Sequence, residues 1–468
     1  MQMLTRLNPR KAKGPDDIPS AILKDNAVVL SVPLCSVINA SIEQGIVPDI
    51  WKSADVCPLP KVSPPVNLDK DFRPISLTPV IAKIAEKCVK PWIMEFIEND
   101  LDPYQFGSLS GSSTTLALIE LYHLWINALE TPGTIIRILL LDFRKAFDLV
   151  DHKIVLRKLA NTGMPDYLVR WITSFLCQRQ QRVKIGGDCH SEWSFINAGV
   201  PQGTILGPVC FLLHINDLRT ICDCSKYVDD SSIWEACLKD CSDSKLQTAA
   251  NQAAQWSESN NMQLNCDKTK ELVVNFTRSK KIVPPIDING SSIERVHCAK
   301  LLGVLFSNDL TWEEHTQYIC GKSAKRLYFL RLLKRAGVLQ SEITAVYSSI
   351  VRSVLEYACE LWHPGLTKEQ SMKIERIQKR ALRIIYPDLD YSDALVESKL
   401  QSLETRREQA CNKLFVDMCK TTHKLHRLIP DVKTSTYELR NPNMLAKPKL
   451  RTLRAERSLI NYGLLHFQ

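Results

Sequence analysis

Glycine is scarce, 17 residues in 468, and no periodic or low-complexity tract accompanies the 24 prolines. That excludes fibrous and collagen-like classes, and 45% hydrophobic residues exclude a disordered chain. No clean apolar run reaches the roughly 20 residues a membrane-spanning helix needs. Ala27–Ile42 is interrupted by Ser31, Pro33, Ser36 and Asn39, and Ala198–Leu213 by Pro201, Gly203, Gly207 and Pro208. The N-terminus, MQMLTRLNPRKAKGPDD, is charged without the apolar segment of a secretory leader. The 16 cysteines follow no repeating frame, which argues against a disulfide scaffold. The tightest groupings, Cys222 with Cys224 and Cys237 with Cys241, lack the pair-and-pair spacing and nearby histidine of a zinc site and read as structural thiols. Internal repeats are absent. The expectation is an intracellular protein, not secreted and without a membrane partner.

What is present is a chain long enough for two to four domains with real cores. Its net charge of +9 gathers at the end, where Gln401–Gln468 holds 13 Lys and Arg against 6 Asp and Glu. Such a basic stretch suits a polyanionic partner, or simply a solvated surface. The periodicity predicts a helix over Ala21–Ile46 interrupted by Pro33, a short strand over Ala54–Lys61 ended by prolines, and a helix over Val80–Asp100. A buried strand opens Thr134–Asp148, with Asp142 at its end. Helices follow over Lys153–Ala160 and Pro165–Leu176, then a strand and turn over Gln181–Gly187. Gly199–Leu218 is a tight turn feeding an apolar helix. A helix from Ser242 to about Met262 precedes strands at Glu271–Phe276 and Cys298–Phe306. Beyond about Asn308 the pattern is helical, over Lys325–Leu333, Ser341–Trp362 and Ser371–Ile385. In the last of these Ile374, Ile377, Ala381 and Ile384 share one face, beside a cationic ridge of Lys373, Arg376, Arg380 and Arg383.

The stretch SKYVDDSSIW (Ser225–Trp234) sets two like charges side by side in what otherwise reads as a strand. Alone, Asp229–Asp230 is an ordinary turn pair, because short carboxylates bond nearby backbone N–H groups. A turn between Lys226–Val228 and Ser232–Trp234 presents both at one tip. Asp142 ends the other buried strand, 87 residues before Asp229. If the strands are neighbours, three acids crowd one spot, which is costly without a cation. Mg²⁺ takes one or two carboxylates plus substrate phosphates, and paired ions serve phosphoryl transfer.

Several stretches, in order, resemble the reverse transcriptases of non-LTR retrotransposons (long interspersed elements) of the jockey or chicken-repeat kind. KAKGPDDIP is similar to the family's opening motif, and PLPK and DFRPISLTPVIAKIAEK to its fingers motifs. LLLDFRKAFDLVDH resembles the first palm carboxylate motif, GVPQGTILGPVCFLLHINDL the template-contact motif and KYVDDSSIW the palm hairpin. LNCDKTKELVV and KLLGVLF resemble the two motifs that follow, and LEYACELWHPGL with IERIQKRALRII the region after the polymerase. Each match is short; their order along essentially the whole chain carries the resemblance.

The resemblance implies an RNA-directed DNA polymerase that adds deoxynucleotides to a primer 3′ end by two-metal phosphoryl transfer. Its partners are an RNA template, a DNA primer and deoxynucleoside triphosphates, and its cofactor two Mg²⁺ ions, with Mn²⁺ an alternative. The fold class implied is α+β, a right-hand polymerase whose fingers and palm carry an antiparallel sheet, followed by an all-α thumb and C-terminal helical region. The divisions are 1–39 for the opening segment, 40–306 for fingers and palm, 307–390 for a helical thumb and 391–468 for a basic helical end. Asp142, Asp229 and Asp230 hold the metals, helped by the backbone carbonyl of Phe143, and Lys268 donates a proton to the departing pyrophosphate. Lys61 and Arg73 approach the triphosphate, Phe147 lies beneath the sugar and clashes with a 2′-hydroxyl, and Gln202 and Gly203 shape the nucleotide and template pocket. Arg376, Arg380 and Arg383 grip a duplex backbone, with Arg179 and Arg182 as further surface candidates.

Three departures matter. Full members of the family carry an apurinic-type endonuclease upstream that nothing here matches, so a 5′-truncated copy without its own target nicking is expected. QFGSLSGSSTT (Gln105–Thr115) has serine or no counterpart where the family has arginine, which bears on template contact. The hairpin reads Tyr-Val where many relatives have Phe-Ala. The alternative is therefore an inactive retroelement remnant that only binds nucleic acid. A group II intron maturase shares the acids, but the tail after the polymerase argues against it.

Overall fold

The run TIIRILLL, Thr134–Leu141, forms the central strand of a five-stranded sheet in the computed structural model, which describes residues 1–187, 189–238, 241–277, 283–431 and 445–467. Ile135, Ile136, Ile138 and Leu139 are fully buried, because helices and neighbouring strands leave neither face to water. In chain order the strands among the described residues are β1 (Ser53–Pro60), β2 (Phe72–Leu77), β3 (Thr134–Leu141), β4 (Arg179–Val183), β5 (Ser194–Ile196), β6 (Asp223–Tyr227) and β7 (Asp230–Leu238). Then come β8 (Lys270–Asn275), β9 (Asp287–Ile288), β10 (Ser291–Ser292), β11 (Glu294–Val296), β12 (Cys298–Leu301) and β13 (Val304–Ser307).

Two compact units are each assembled from separate stretches of chain. The first takes Met1–Ser108, Phe143–Arg219 and Gln252–Asn265; the second takes Leu109–Asp142, Thr220–Asn251 and Cys266–Gln468. In the first unit the sheet order is β2-β1-β4-β5. β1 runs antiparallel to β2 and parallel to β4, so the sheet is mixed rather than antiparallel. β1 continues through Pro58 and Pro60 instead of ending at them. Only Ser53–Val56 pairs with β4, so the prolines fall where the strand has a single neighbour and their missing N–H groups break no second ladder.

The first helical segment is also divided differently from the sequence expectation. The break falls at Asn26, between Ser20–Asp25 and Ala27–Gln44, and the second helix passes through Pro33 to a left-handed Gly45. Pro33 and Val29 face solvent, where the carbonyl that the proline cannot serve is hydrated. With 18 residues, a mean hydropathy of 1.4 and 22% of its length buried, Ala27–Gln44 is long and apolar enough, by length and composition, to cross a bilayer. This corrects the expectation that its Ser, Pro and Asn disqualify it: none of them is charged.

The second unit holds the sheet β11-β8-β3-β7-β6. All its pairings are antiparallel except the edge pair β8–β11. CAKLLGVLF is a hairpin of β12 and β13 rather than one strand, turned by Leu302 (φ 45°) and Gly303 (φ 92°). The helix expected from Ser242 covers Leu246–Ser259. Beyond Ser307 the described residues form helices and no strand. Glu313–Arg335 packs beside Lys368–Ile385, which opens with a capping box of Thr367 and Gln370. Ser341–Trp362 is not one helix: Gln340–Val346 widens into a π-helical turn at Tyr347–Arg352, and Ala358 (φ 51°) separates the short Cys359–Trp362 helix. Of the basic C-terminal region, 432–444 and 468 lie outside the described residues. All 16 cysteines are free; Cys237 and Cys241 place their sulfurs 3.4 Å apart in the core.

Candidate active site

The β6–β7 hairpin turns on two residues, Val228 and Asp229, with Tyr227 paired to Asp230. The turn thus lies earlier than the sequence pattern suggests, at Val228–Asp229 rather than between Val228 and Ser232: Asp229 is at the tip, and Asp230 is already the first residue of β7. Val228 has φ 60°, a left-handed conformation that costs a β-branched residue on the order of 1–3 kcal/mol. A two-residue loop with positive φ at its first position matches the right-handed twist of the strands it joins.

Register then brings the third acid in. Leu141 of β3 stands opposite Ser231 of β7, so Asp142, the next residue, comes beside Asp230. The Asp142 N–H donates to Thr269 Oγ1 at 3.3 Å, tying it to the stretch before β8. One cleft is lined by Asp142, Asp230, Lys268 and Lys270, with Cys298–Leu302 from the β12–β13 hairpin on another side. The structure therefore gathers Asp142, Asp229, Asp230 and Lys268 in one unit.

The carboxylates perturb one another. Partial desolvation pushes Asp230 up to about 6, and repulsion from Asp229 and Asp142 adds to it. Asp230 still reaches solvent, so this desolvation is partial, and the neighbouring like charges come second to it. Asp229 is raised by desolvation first and by Asp142 second. A cation between them would relieve this repulsion.

In the first unit the remaining candidates fall into two groups. The Phe147 ring stacks on Phe211, centroids 4.7 Å apart at 18°, so the helix Gly207–Ile215 supports it from behind. The Val200 N–H donates to the Phe147 carbonyl at 2.8 Å, and Gln202 Nε2 donates to Asp148 Oδ1 at 3.2 Å. Gly203 has φ 136°, and a Cβ there would lie 2.5 Å from the Ser76 carbonyl oxygen; only glycine fits. Glu86, buried, accepts the N–H groups of Ile205 (2.6 Å) and Leu206 (2.9 Å) just ahead of the helix. Burial raises its carboxyl, and the two bonds oppose that. The second group is on β1 and β2. Arg73 is exposed opposite Leu59, and Lys61 turns its ammonium to the Lys70 carbonyl at 3.2 Å. Phe143 is a buried aromatic of this unit, its backbone bridged to Leu264 and its ring edge-on to Trp256 at 6.1 Å.

On the helix Lys368–Ile385, Arg376, Arg380 and Arg383 are on the solvent side, whereas Lys373 is paired with Glu313 at 2.8 Å and Glu369 at 3.3 Å. Two surface expectations fail. Arg179 is buried, its guanidinium 4.8 Å from the Phe175 ring centre and bonded to the Phe175 carbonyl. Arg182 is held by Asp55 at 2.7 Å and lies over Trp193. Both sit on a strand whose alternation puts charge against neighbours that the local sequence does not reveal. The residues that sequence reasoning passes over are Asp148 and Glu86; Asp148 lies inside LLLDFRKAFDLVDH, and only its contact with Gln202 singles it out.

A model of the family described as reverse transcriptase (RNA-dependent DNA polymerase) matches residues 59–306. The chain is 28% identical over 401 residues to a probable RNA-directed DNA polymerase from transposon X-element of Drosophila melanogaster, covering 82% of this chain and 43% of that protein. It is 27% identical over 412 residues to the RNA-directed DNA polymerase from mobile element jockey of Drosophila funebris, with the same coverages. A probable RNA-directed DNA polymerase from transposon BS of Drosophila melanogaster is 25% identical over 443 residues, 90% of this chain and 48% of that protein. The chain thus spans less than half the length of these relatives. Among solved structures, telomerase from Candida albicans overlays 79% of this chain and 68% of its own at 13% identity and a TM-score of 0.36, too low to argue from.

Proposed function

We propose, from the premise that this chain belongs to the reverse transcriptase (RNA-dependent DNA polymerase) family and is of the jockey-like non-LTR kind, that it extends a DNA primer on an RNA template. The observation that carries this reading is the meeting of Asp142, Asp229 and Asp230 at one end of the five-stranded sheet, with Lys268 in the same cleft.

Asp142, Asp229 and Asp230 would hold the divalent cations, two Mg²⁺ with Mn²⁺ as a substitute. Their donors are all hard oxygens, and their mutual repulsion calls for positive charge. Among the described residues no three His, Cys, Asp or Glu side chains form a ready-made cage, so phosphates and water would complete the shell, as Mg²⁺ permits. Such ions, when bound, neutralise the reacting phosphates and activate the primer hydroxyl.

The rest is positioning by the chain itself. Lys268 would donate a proton to the departing pyrophosphate, and Lys61 and Arg73 would neutralise the triphosphate, Arg73 as a planar fork and Lys61 as a point charge. Phe147, backed by Phe211, would exclude a 2′-hydroxyl and so select deoxynucleotides. Gln202 and Gly203 would shape the nucleotide pocket. Arg376, Arg380 and Arg383 would contact a nucleic-acid backbone without reading sequence. The free thiols support residence in a reducing compartment.

The test is primer extension on an RNA template with Mg²⁺, comparing the parent with Asp229→Ala. Extension by the parent and its loss in the variant is expected. Unchanged extension in Asp229→Ala would remove the metal assignment. If neither extends a primer but both retain RNA on a filter, the chain is a binding remnant.

A further inference from the structure

Asp148 is half-buried six residues after Asp142, and the metal reading assigns it nothing. Its carboxylate meets the side-chain amide of Gln202, with Nε2 to Oδ1 at 3.2 Å. The two backbones around it are clamped together. Gly199 donates its N–H to the Val150 carbonyl at 2.7 Å and Val200 donates to that of Phe147 at 2.8 Å. Gly199 approaches so closely that an added Cβ would lie 2.7 Å from the Asp148 carbonyl oxygen. On the far side the Gln202 carbonyl accepts the Ser76 N–H at 2.8 Å. Main-chain bonds thus hold the turn on both flanks. One torsional choice is left open by them: which end of the Gln202 amide points away from Asp148.

An amide has a donor end and an acceptor end of nearly equal size, so sterics do not choose between them. An ionised carboxylate accepts only. It therefore takes the NH₂ end of Gln202 and turns the Oε1 end outward.

We infer that Asp148 is a positioning residue that locks the Gln202 side chain in one amide orientation, so that the turn offers the incoming nucleotide a hydrogen-bond acceptor rather than a donor. The inference rests on the polymerase reading above. It differs from it in assigning Asp148 no metal and no proton transfer: its effect passes entirely through Gln202. Without the carboxylate the amide samples both orientations, and one of them presents a donor where the substrate also donates. The loss is of nucleotide binding, not of chemistry.

Steady-state primer extension on an RNA template is measured for the parent, Asp148→Ala, Asp148→Asn, Gln202→Ala and the Asp148→Ala/Gln202→Ala double variant, with nucleotide affinity followed in parallel by quenching of tryptophan fluorescence. Asp148→Ala is expected to raise the KM for deoxynucleotide about tenfold with kcat nearly unchanged, the size of one hydrogen bond. Asp148→Asn keeps an acceptor oxygen and should recover most of the loss. In the Gln202→Ala background, Asp148→Ala should add nothing, because the group it orients is gone. A full additional loss in the double variant overturns the inference, as does a fall in kcat with KM unchanged, which would make Asp148 part of the chemistry or of the metal set. Should Asp148→Ala fail to fold, the Asn variant and Gln202→Ala decide: equal KM effects from these two refute the rescue. A parent that neither extends a primer nor binds nucleotide overturns the polymerase reading and this inference with it, whereas a working parent indifferent to Asp148 overturns only the inference.

Discussion

Arg137 and Glu271 form a buried bidentate contact across neighbouring strands: guanidinium Nε and Nη2 both donate to Glu271 Oε1, at 2.9 and 2.7 Å. The other oxygen of the same carboxylate accepts from Arg295 Nε and Nη2 at 2.9 and 2.8 Å. Glu271 thus joins β3 to β8 and β11 with no exposure to water. Replacing it by alanine removes the close ion pair of the buried Arg137 and leaves it the more distant Glu235 carboxylate at 4.0 Å. We expect Glu271→Ala to lower stability by about 3–5 kcal/mol, read from the urea midpoint, with a loss of primer extension that follows unfolding rather than metal affinity.

The acid cluster makes stability depend on pH in a defined direction. Asp230 is raised from its ordinary value near 3.8 to about 6, and Asp229 is also raised. A carboxyl raised by folding favours the folded state while protonated. Its contribution is complete below about pH 4 and is lost as pH climbs through about 6. Metal-free protein should therefore lose on the order of 1 kcal/mol from this source between pH 4 and pH 7, the figure being small because the Asp230 side chain reaches solvent. Asp230→Asn should flatten that part of the urea-midpoint profile, and adding Mg²⁺ at pH 7 should restore stability to the parent more than to the variant. A profile identical in parent and variant would remove the repulsion argument.

Gly203 tolerates no side chain. Its φ is 136°, and the Cβ that Gly203→Ala introduces would stand 2.5 Å from the Ser76 carbonyl oxygen, so β2 or the turn must shift. A cost of about 2 kcal/mol or more is expected, visible as a lower thermal midpoint. Gly111→Ala makes a control, since its φ is 69° but nothing lies within 4 Å of its added Cβ, so only backbone strain is felt.

The arginines on the solvent side of Lys368–Ile385 should act as phosphate contacts. Replacing Arg376, Arg380 and Arg383 together by glutamine should weaken RNA–DNA duplex binding at every sequence alike. The slope of log affinity against log salt should fall by about 1 for each phosphate that is no longer neutralised. An unchanged slope would leave them as a solvated helix face.

Much of the architecture is legible locally. The apolar run of β3, the helices at His152–Ala160 and Asp166–Leu176, and the amphipathic Lys368–Ile385 follow from periodicity and caps that lie within a few residues. Errors cluster where a distant partner decides. Pro33 does not break its helix because its neighbourhood is solvated, and Arg179 is buried because Phe175 and Glu86 surround it.

The candidate site divides in the same way. Composition and motif order by themselves determined which side chains are available: three aspartates, a Pro-Gln-Gly turn, a cationic helix. Tertiary structure alone decided that Asp142 stands beside Asp230, since strand register is a property of the pairing and shifting it by one residue would turn every side chain to the opposite face. It likewise decided that Asp148 meets Gln202 across 54 residues of chain. Short-range propensity acts over a turn or two of backbone, whereas electrostatic and hydrogen-bond partners are chosen by whatever the fold sets within about 3 Å, and that distance carries no record of separation along the sequence.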